Sequence, residues 1–363
     1  MMRYRGCDMT GTTENTGRQI DPAEEPILAV EDVTIQYHTE QGPLTAVSDA
    51  SFEIYEGEYF GLVGESGCGK STIVKSILRG LDDNGEITSG TISYRGEEIQ
   101  DLTEEEMNQT IRWKEISWIP QSSMNSLDPL QRVSEMALEL AEVHTDLPRA
   151  EARERFVEMF EVVGLPEDRI DDYPHQFSGG MQQRAIIALA LFLDPSLVIA
   201  DEPTTALDVI MQDQVFKYLD DIKEQLDTSL LLITHDISVV FESCDAMAIM
   251  HGGQVAETGS VLDIYDTPRH PYSILLQEAF PDHRYPKREL AVIDDQPPQV
   301  MGTADYCTFV ERCPWAVEEC AESAPPLEPL VGGSDHRVSC FRKDEVHEMY
   351  ADTTEATPGV NHD

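Results

Sequence analysis

The chain has 363 residues, with 25 Lys+Arg against 69 Asp+Glu, a formal charge of −44, and 40% apolar residues. The apolar share is enough to build a core, which excludes a wholly disordered polyelectrolyte, and the length suggests about two domains of ordinary size. A charge of this sign repels a phosphate backbone, so no nucleic-acid partner is expected.

Residues 1–26 carry five acids and three Arg and read as a flexible acidic arm. Order begins at Ile27, and a strand pattern runs through Val30, Val33, Ile35 and Tyr37. Residues 44–63 read as further strands, ending in Tyr59–Val63 before a Gly-rich turn. The spacing of Ile73, Val74, Ile77, Leu78 and Leu81 predicts a helix over 70–81. Residues 101–112 read as an acidic surface helix, Ser117–Ile119 as a short strand, and 130–163 as helix broken at Pro148. Leu197–Ala200 and Leu230–Ile233 are apolar almost throughout, as in a sheet covered on both faces, and a helix starting near Asp213 is expected between them. From Thr267 Pro becomes frequent, and four of the seven Cys fall within 34 residues. Residues 344–363, with six acids and no Lys or Arg, form an acidic tail.

The apolar run Ala185–Leu193 is stopped by Asp194, far short of the ~20 residues a membrane span needs. The N-terminus has no apolar signal core. The chain is therefore expected in the cytosol, with reduced thiols. Its acidity is not confined to the ends: residues 27–343 hold 58 acids and 22 bases, or −36. Self-repulsion of that size is relieved at molar salt, where the Debye length is about 3 Å. A host with a very salty cytosol, an extreme halophile, is the expectation; a merely acidic mesophilic protein is the alternative.

Gly64-Glu65-Ser66-Gly67-Cys68-Gly69-Lys70-Ser71 fits the P-loop pattern between a predicted strand and helix. Glycines let backbone N–H groups wrap phosphates, and the helix N-terminus adds a favourable dipole. Lys70 would neutralise the β/γ-phosphates of ATP, and Ser71 would ligate Mg²⁺; Thr72 follows in the first helical turn, and Cys68 would contribute backbone alone. The strand Val198–Ala200 runs into Asp201, placed to hold Mg²⁺, and Glu202, placed to polarise water.

Phe177-Ser178-Gly179-Gly180-Met181-Gln182-Gln183-Arg184 resembles the signature motif of ATP-binding cassette (ABC) ATPases. The ordered set then completes itself. Tyr37 matches the aromatic that stacks on adenine, Gln121 the Q-loop glutamine that senses Mg²⁺ and water, Thr205–Asp208 the D-loop, and His235 the switch histidine. The resemblance implies an α/β P-loop nucleotide-binding domain over about 27–265. It would have a RecA-like core, an antiparallel β lobe and a helical subdomain at about 122–190. It also implies a head-to-tail dimer in which Ser178, Gly179 and Gly180 of one subunit, with Asp208, meet ATP held by the loop of the other. Met181 and Phe177 depart from the usual Gln and Leu of the signature.

Residues from Leu44 to about Pro281 resemble the ATPase of dipeptide/oligopeptide/nickel importers, through Asn125–Pro129, Tyr173–Met181 and His270–Leu276. Residues 266–343 would be that family's C-terminal extension. Cys307, Cys313, Cys320 and Cys340, spaced Cys-x5-Cys-x6-Cys-x19-Cys, can hold a [4Fe–4S] cluster or Zn²⁺, or remain thiols. Members with this Cys set resemble iron–sulfur proteins. The implied function is ATP hydrolysis driving import of peptides, or nickel, at the cytoplasmic face of the membrane. The implied partners are a second, distinct ATPase, two permease subunits and an extracellular substrate-binding protein. A soluble ABC ATPase of DNA repair or translation, or a non-hydrolysing regulatory cassette, are the rivals.

Overall fold

A computed structural model of the protein describes residues 24–121, 126–203, 228–279, 297–330 and 335–355. Alternating burial shapes the first lobe. β1 (Leu28–Thr39) and β2 (Gly42–Ile54) form an antiparallel hairpin, with Leu28, Val30, Val33 and Ile35 at most 1% exposed. β3 (Tyr59–Val63) leaves this lobe, and α1 (Lys70–Ile77) follows it. β4 (Gly85–Tyr94) returns to the free side of β1 and β5 (Glu97–Glu98) extends the edge. Next come α2 (Glu104–Glu106), β6 (Ile116–Ile119), α3 (Val133–His144), α4 (Arg149–Val162), α5 (Gly179–Leu191) and β7 (Leu197–Asp201). β8 (Ser229–Thr234), α6 (Ile237–Ser243), β9 (Ala246–His251), β10 (Gln254–Ser260), α7 (Val261–Asp266) and α8 (Pro271–Glu278) complete the core. The extension adds β11 (Val300–Met301), α9 (Glu318–Glu322), β12 (Glu328–Pro329), β13 (Arg337–Val338) and α10 (Val346–Glu355).

Two sheets result among the described residues. The antiparallel one has the order β11-β2-β1-β4-β5; the second runs β12-β13-β10-β9-β3-β8-β7-β6. Within the second, β9, β3, β8, β7 and β6 are parallel neighbours. Every residue of β7 and β8 is buried, as their unbroken apolar runs require. One core cluster packs Val198, Ala200, Leu230 and Leu232 with residues of α3, α4 and α5, where Phe156, Phe160, Phe177 and Phe192 meet. The other packs Leu197, Ile199, Leu231 and Ile233 against α1 and the antiparallel lobe. Opposite faces of one strand thus serve two cores.

Some boundaries differ from the expectation. The helix expected over 70–81 stops at Ile77, because Arg79 turns left-handed (φ 49°) and Gly80 N–H closes on Lys75 O. The helix expected over 101–112 is a capping box at Thr103 and Glu106, then a wide π turn at Met107–Ile111, which buries Met107 and Ile111. The acidic tail begins as α10, with Val346 buried and the Tyr350 hydroxyl donating to Glu278. No helix among the described residues is long and apolar enough to cross a membrane. The arm up to residue 23, the D-loop with Asp208, Asn125 and the helix expected near Asp213 lie outside the described residues.

Candidate nucleotide site

Parallel strands place their C-terminal ends along one edge, which is where open α/β sheets bind ligands. Here the register aligns Val63 with Thr234, Asp201 with Ile233, and Ile119 with Ala200. The phosphate loop follows Val63, Gln121 follows β6, Glu202 follows β7 and His235 follows β8. Motifs scattered along the sequence therefore meet through strand order alone.

The loop is buried at its root and open at its crest. Gly64, Cys68 and Lys70 are buried, whereas Ser66 and Gly67 are exposed. Gly67 (φ +82°) and Gly69 (φ +110°) hold left-handed conformations that suit glycine. A side chain on Gly64 would stand 2.2 Å from Met250 O, and one on Gly69 2.6 Å from Ala46 O; at Gly67 nothing lies within 4 Å. The Lys70 ammonium donates to Gly64 O at 2.7 Å and Glu65 O at 2.9 Å, which keeps a buried cation satisfied inside the loop. The Cys68 thiol is buried, its pKa raised by desolvation; its carbonyl accepts from Gly253 N–H and its sulfur lies 3.8 Å from the Lys70 ammonium. Ser71 is exposed and Thr72 part-buried on α1.

Asp201 ends β7 at 4% exposure, with Ser71 Oγ 3.5 Å away. Burial raises its pKa; the Ser71 hydroxyl and Lys70 oppose this, while the Glu202 charge adds to it. Glu202 leaves the strand at φ +46° while its N–H stays on Ile233 O. A non-glycine residue held in this region stores about 1–3 kcal/mol of strain and is common at functional sites. The Gln121 amide donates to Glu202 Oε2 at 2.6 Å, and His235 Nδ1 lies 3.3 Å from Oε1. The three side chains expected around the attacking water thus form one hydrogen-bonded group, with Glu202 12% and His235 61% exposed. The donor set suits Mg²⁺ with ATP: a hydroxyl and a buried carboxylate for the cation, and a lysine with an open glycine crest for phosphate.

Ser178 caps α5, its hydroxyl accepting from Met181 N–H, while Phe177 anchors the turn in the core. Ser178 is exposed, Gly179 part-buried and Gly180 buried, so the cap of α5 faces solvent at Ser178 while the helix behind it enters the core. Phe177 is therefore a packing residue, and the departure from Leu leaves the cap intact. Tyr37 lies part-buried opposite Leu44 and Gly85, and its ring covers Gly85, where a side chain would stand 2.7 Å from it.

Cys307, Cys313, Cys320 and Cys340 line one cavity with Phe309, Trp315 and Phe341. Desolvation pushes the Cys307 and Cys340 thiols up to about 11 and Cys313 to about 12. Among the described residues no group of three or more His, Cys, Asp or Glu is arranged to hold a metal ion. All four cysteines share this one cavity, and burial holds the Cys307, Cys313 and Cys340 thiols protonated.

Sequence reasoning gave no role to His251, Tyr272, Thr308 or Arg312, which bind the extension to the phosphate loop. Glu65 N–H donates to the Tyr272 hydroxyl at 3.2 Å, and Arg312 grips the Glu65 carboxylate. Arg312 is the only base between Cys307 and Cys313 in a chain poor in bases, a faint signal that a structural or functional carboxylate awaits it.

Residues 47–205 match the ABC transporter family, and residues 256–320 match the oligopeptide/dipeptide transporter C-terminal region. A probable peptide ABC transporter ATP-binding protein, y4tR of Sinorhizobium fredii, is 38% identical over 332 residues, covering 90% of this chain and 98% of the relative. The oligopeptide transport ATP-binding protein OppD of Salmonella typhimurium is 41% identical, covering 90% and 97%. The dipeptide transport ATP-binding protein DppD of Bacillus subtilis is 37% identical, covering 88% and 96%. A solved dimeric post-hydrolysis state of the ATP-binding cassette MJ0796, bound to ADP and Pi, superposes with a TM-score of 0.58 at 28% identity, over 64% of this chain and 98% of that one. With relatives this similar across nearly the whole chain, the protein belongs to the ATP-binding subunits of the oligopeptide/dipeptide family of ABC transporters.

Proposed function

We propose that this chain hydrolyses ATP to power uptake of dipeptides or oligopeptides, or of nickel, through a membrane ABC permease. The observation that carries the reading is the contact of Gln121 and His235 with Glu202 beside the buried Lys70. Bound Mg²⁺, held by Ser71 and Asp201 with Gln121 alongside, would screen the charge of the phosphates. Glu202 is positioned to take a proton from water, with His235 and Gln121 fixing its two oxygens. Lys70 exchanges loop carbonyls for phosphate oxygens. The exposed Ser178 cap, with Gly179 and Gly180 opening α5 behind it, supports a head-to-tail dimer, completed by Asp208 of the D-loop, with adenine on Tyr37. MJ0796, solved as a dimer bound to ADP and Pi, supports pairing of two such domains.

The family supports two permease subunits, an extracellular binding protein, a second and distinct ATPase, and work at the cytoplasmic face of the membrane. The shared cavity lined by Cys307, Cys313, Cys320 and Cys340 supports a resident [4Fe–4S] cluster held by their four thiolates; iron and sulfide assays on anaerobically purified protein test it. The acidic body supports a host with molar cytosolic salt.

Glu202→Gln keeps the hydrogen-bonding shape and removes the base. ATP binding should persist while hydrolysis drops about 10²–10⁴-fold. In membranes carrying the chain assembled with its permease subunits, uptake of labelled peptide should stop. Hydrolysis at the wild-type rate would falsify the assignment of Glu202.

A further inference from the structure

The extension reaches the phosphate loop through one cation. Arg312 donates from Nη1 and Nη2 to the two carboxylate oxygens of Glu65, at 2.8 and 2.6 Å. The two side chains are only 12% and 20% exposed. The guanidinium lies over the Phe309 ring and within 2.9 Å of His251 Nε2 at the end of β9. The His251 ring packs edge to face with Tyr272 and Phe309, whose rings tilt against each other, and Thr308 Oγ1 donates to His251 O at 2.9 Å. The arginine is therefore fixed before it meets the loop.

Glu65 is the second residue of that loop. Its carbonyl accepts from Lys70 Nζ and from Cys68 N–H, and its own N–H is taken by Tyr272. Its carboxylate places a negative charge in the segment that must receive a polyphosphate. In a sheltered site such a charge acts strongly. A two-pronged guanidinium both neutralises it and fixes its direction.

We propose that Arg312 is a positioning residue for nucleotide binding, neutralising Glu65 and setting the phosphate loop, so that ATP affinity depends on the C-terminal extension. This rests on the reading of residues 64–71 as the ATP phosphate site. Cys313, which lines the four-cysteine cavity, follows Arg312 directly.

The test compares the full-length wild type with Arg312→Gln, Arg312→Lys and the doubly substituted Glu65→Gln/Arg312→Gln in molar KCl. Mg-ATP binding is read by titration calorimetry, ATPase by KM and kcat, and integrity by thermal unfolding. Arg312→Gln should weaken ATP binding and raise KM about tenfold, with kcat at saturating ATP within about twofold. The lysine variant should recover part of the loss. The double variant should bind more tightly than Arg312→Gln alone, since the unpaired carboxylate is gone. Wild-type affinity for Arg312→Gln, a loss confined to kcat, or a double variant no better than Arg312→Gln overturns the proposal. If Arg312→Gln does not fold, the lysine variant decides: weakened binding supports the proposal and unchanged binding overturns it. If the wild type itself binds no Mg-ATP, the phosphate-site reading fails, and the proposal falls with it.

Discussion

Two glycines of the phosphate loop separate its architecture from its chemistry. A methyl at Gly67 meets nothing within 4 Å, so Gly67→Ala carries only the strain of φ +82°, about 1–2 kcal/mol. A methyl at Gly64 would stand 2.2 Å from Met250 O and 2.7 Å from Cys68 Sγ. The oxygen belongs to the backbone of β9 and cannot swing aside, so β3 and β9 must part or the loop must shift. Overpacking of this kind costs about 1–3 kcal/mol, occasionally more, and Gly64→Ala belongs at the upper end. Thermal unfolding should therefore fall by a few degrees for Gly67→Ala and further for Gly64→Ala. ATP binding should nevertheless be lost about as severely in Gly67→Ala, because its methyl fills the open crest of the loop. Near-wild-type affinity in a folded Gly67→Ala chain would refute the placement of phosphate on that crest.

Other outcomes follow from buried charge. His251 and His270 are held neutral by desolvation, their pKa values lowered from 6.5 to about 3 and about 4. Their contribution is complete above pH 6.5 and is lost as pH falls, because the unfolded chain then binds protons that the folded chain refuses. Stability measured in molar KCl should drop by about 1.4 kcal/mol per pH unit for each histidine below pH ~6; equal unfolding midpoints at pH 7 and pH 5 would contradict this. Glu257, fully buried, lies 2.6 Å from His336 and accepts from the N–H groups of Arg269 and His270. Glu257→Ala strands all three and should cost about 3–5 kcal/mol in denaturant unfolding; a loss under about 1 kcal/mol would show that the extension is anchored elsewhere. ATPase activity should require high KCl, and full activity in dilute buffer would leave the −36 of residues 27–343 without a physical role.

Much of the nucleotide site is legible because its signals are short. Gly64–Ser71 carries its own turn chemistry between β3 and α1, and Ser178 carries its own cap. The unbroken apolar runs of β7 and β8 announce strands buried on both faces, and they are. Where local signals compete, the reading slips. The apolar spacing through Leu81 extends the helix, but Arg79 and Gly80 end it at Ile77. The periodicity of residues 101–112 gives no warning of the π turn, which serves the burial of Met107 and Ile111.

The sequence by itself determined the phosphate loop, the carboxylates closing β7, the cap of α5 and the acidic character of the body. Each depends on residues within a few positions of one another, whose backbone preferences and charge need no distant partner. Only the tertiary structure decided that Gln121 and His235 grip Glu202, that Glu257 faces His336, and that Arg312 reaches Glu65 across 247 positions. Those contacts depend on strand order and on the path of the extension over the sheet. Neither is written in any window of neighbouring residues; both follow from how the two cores close around shared strands.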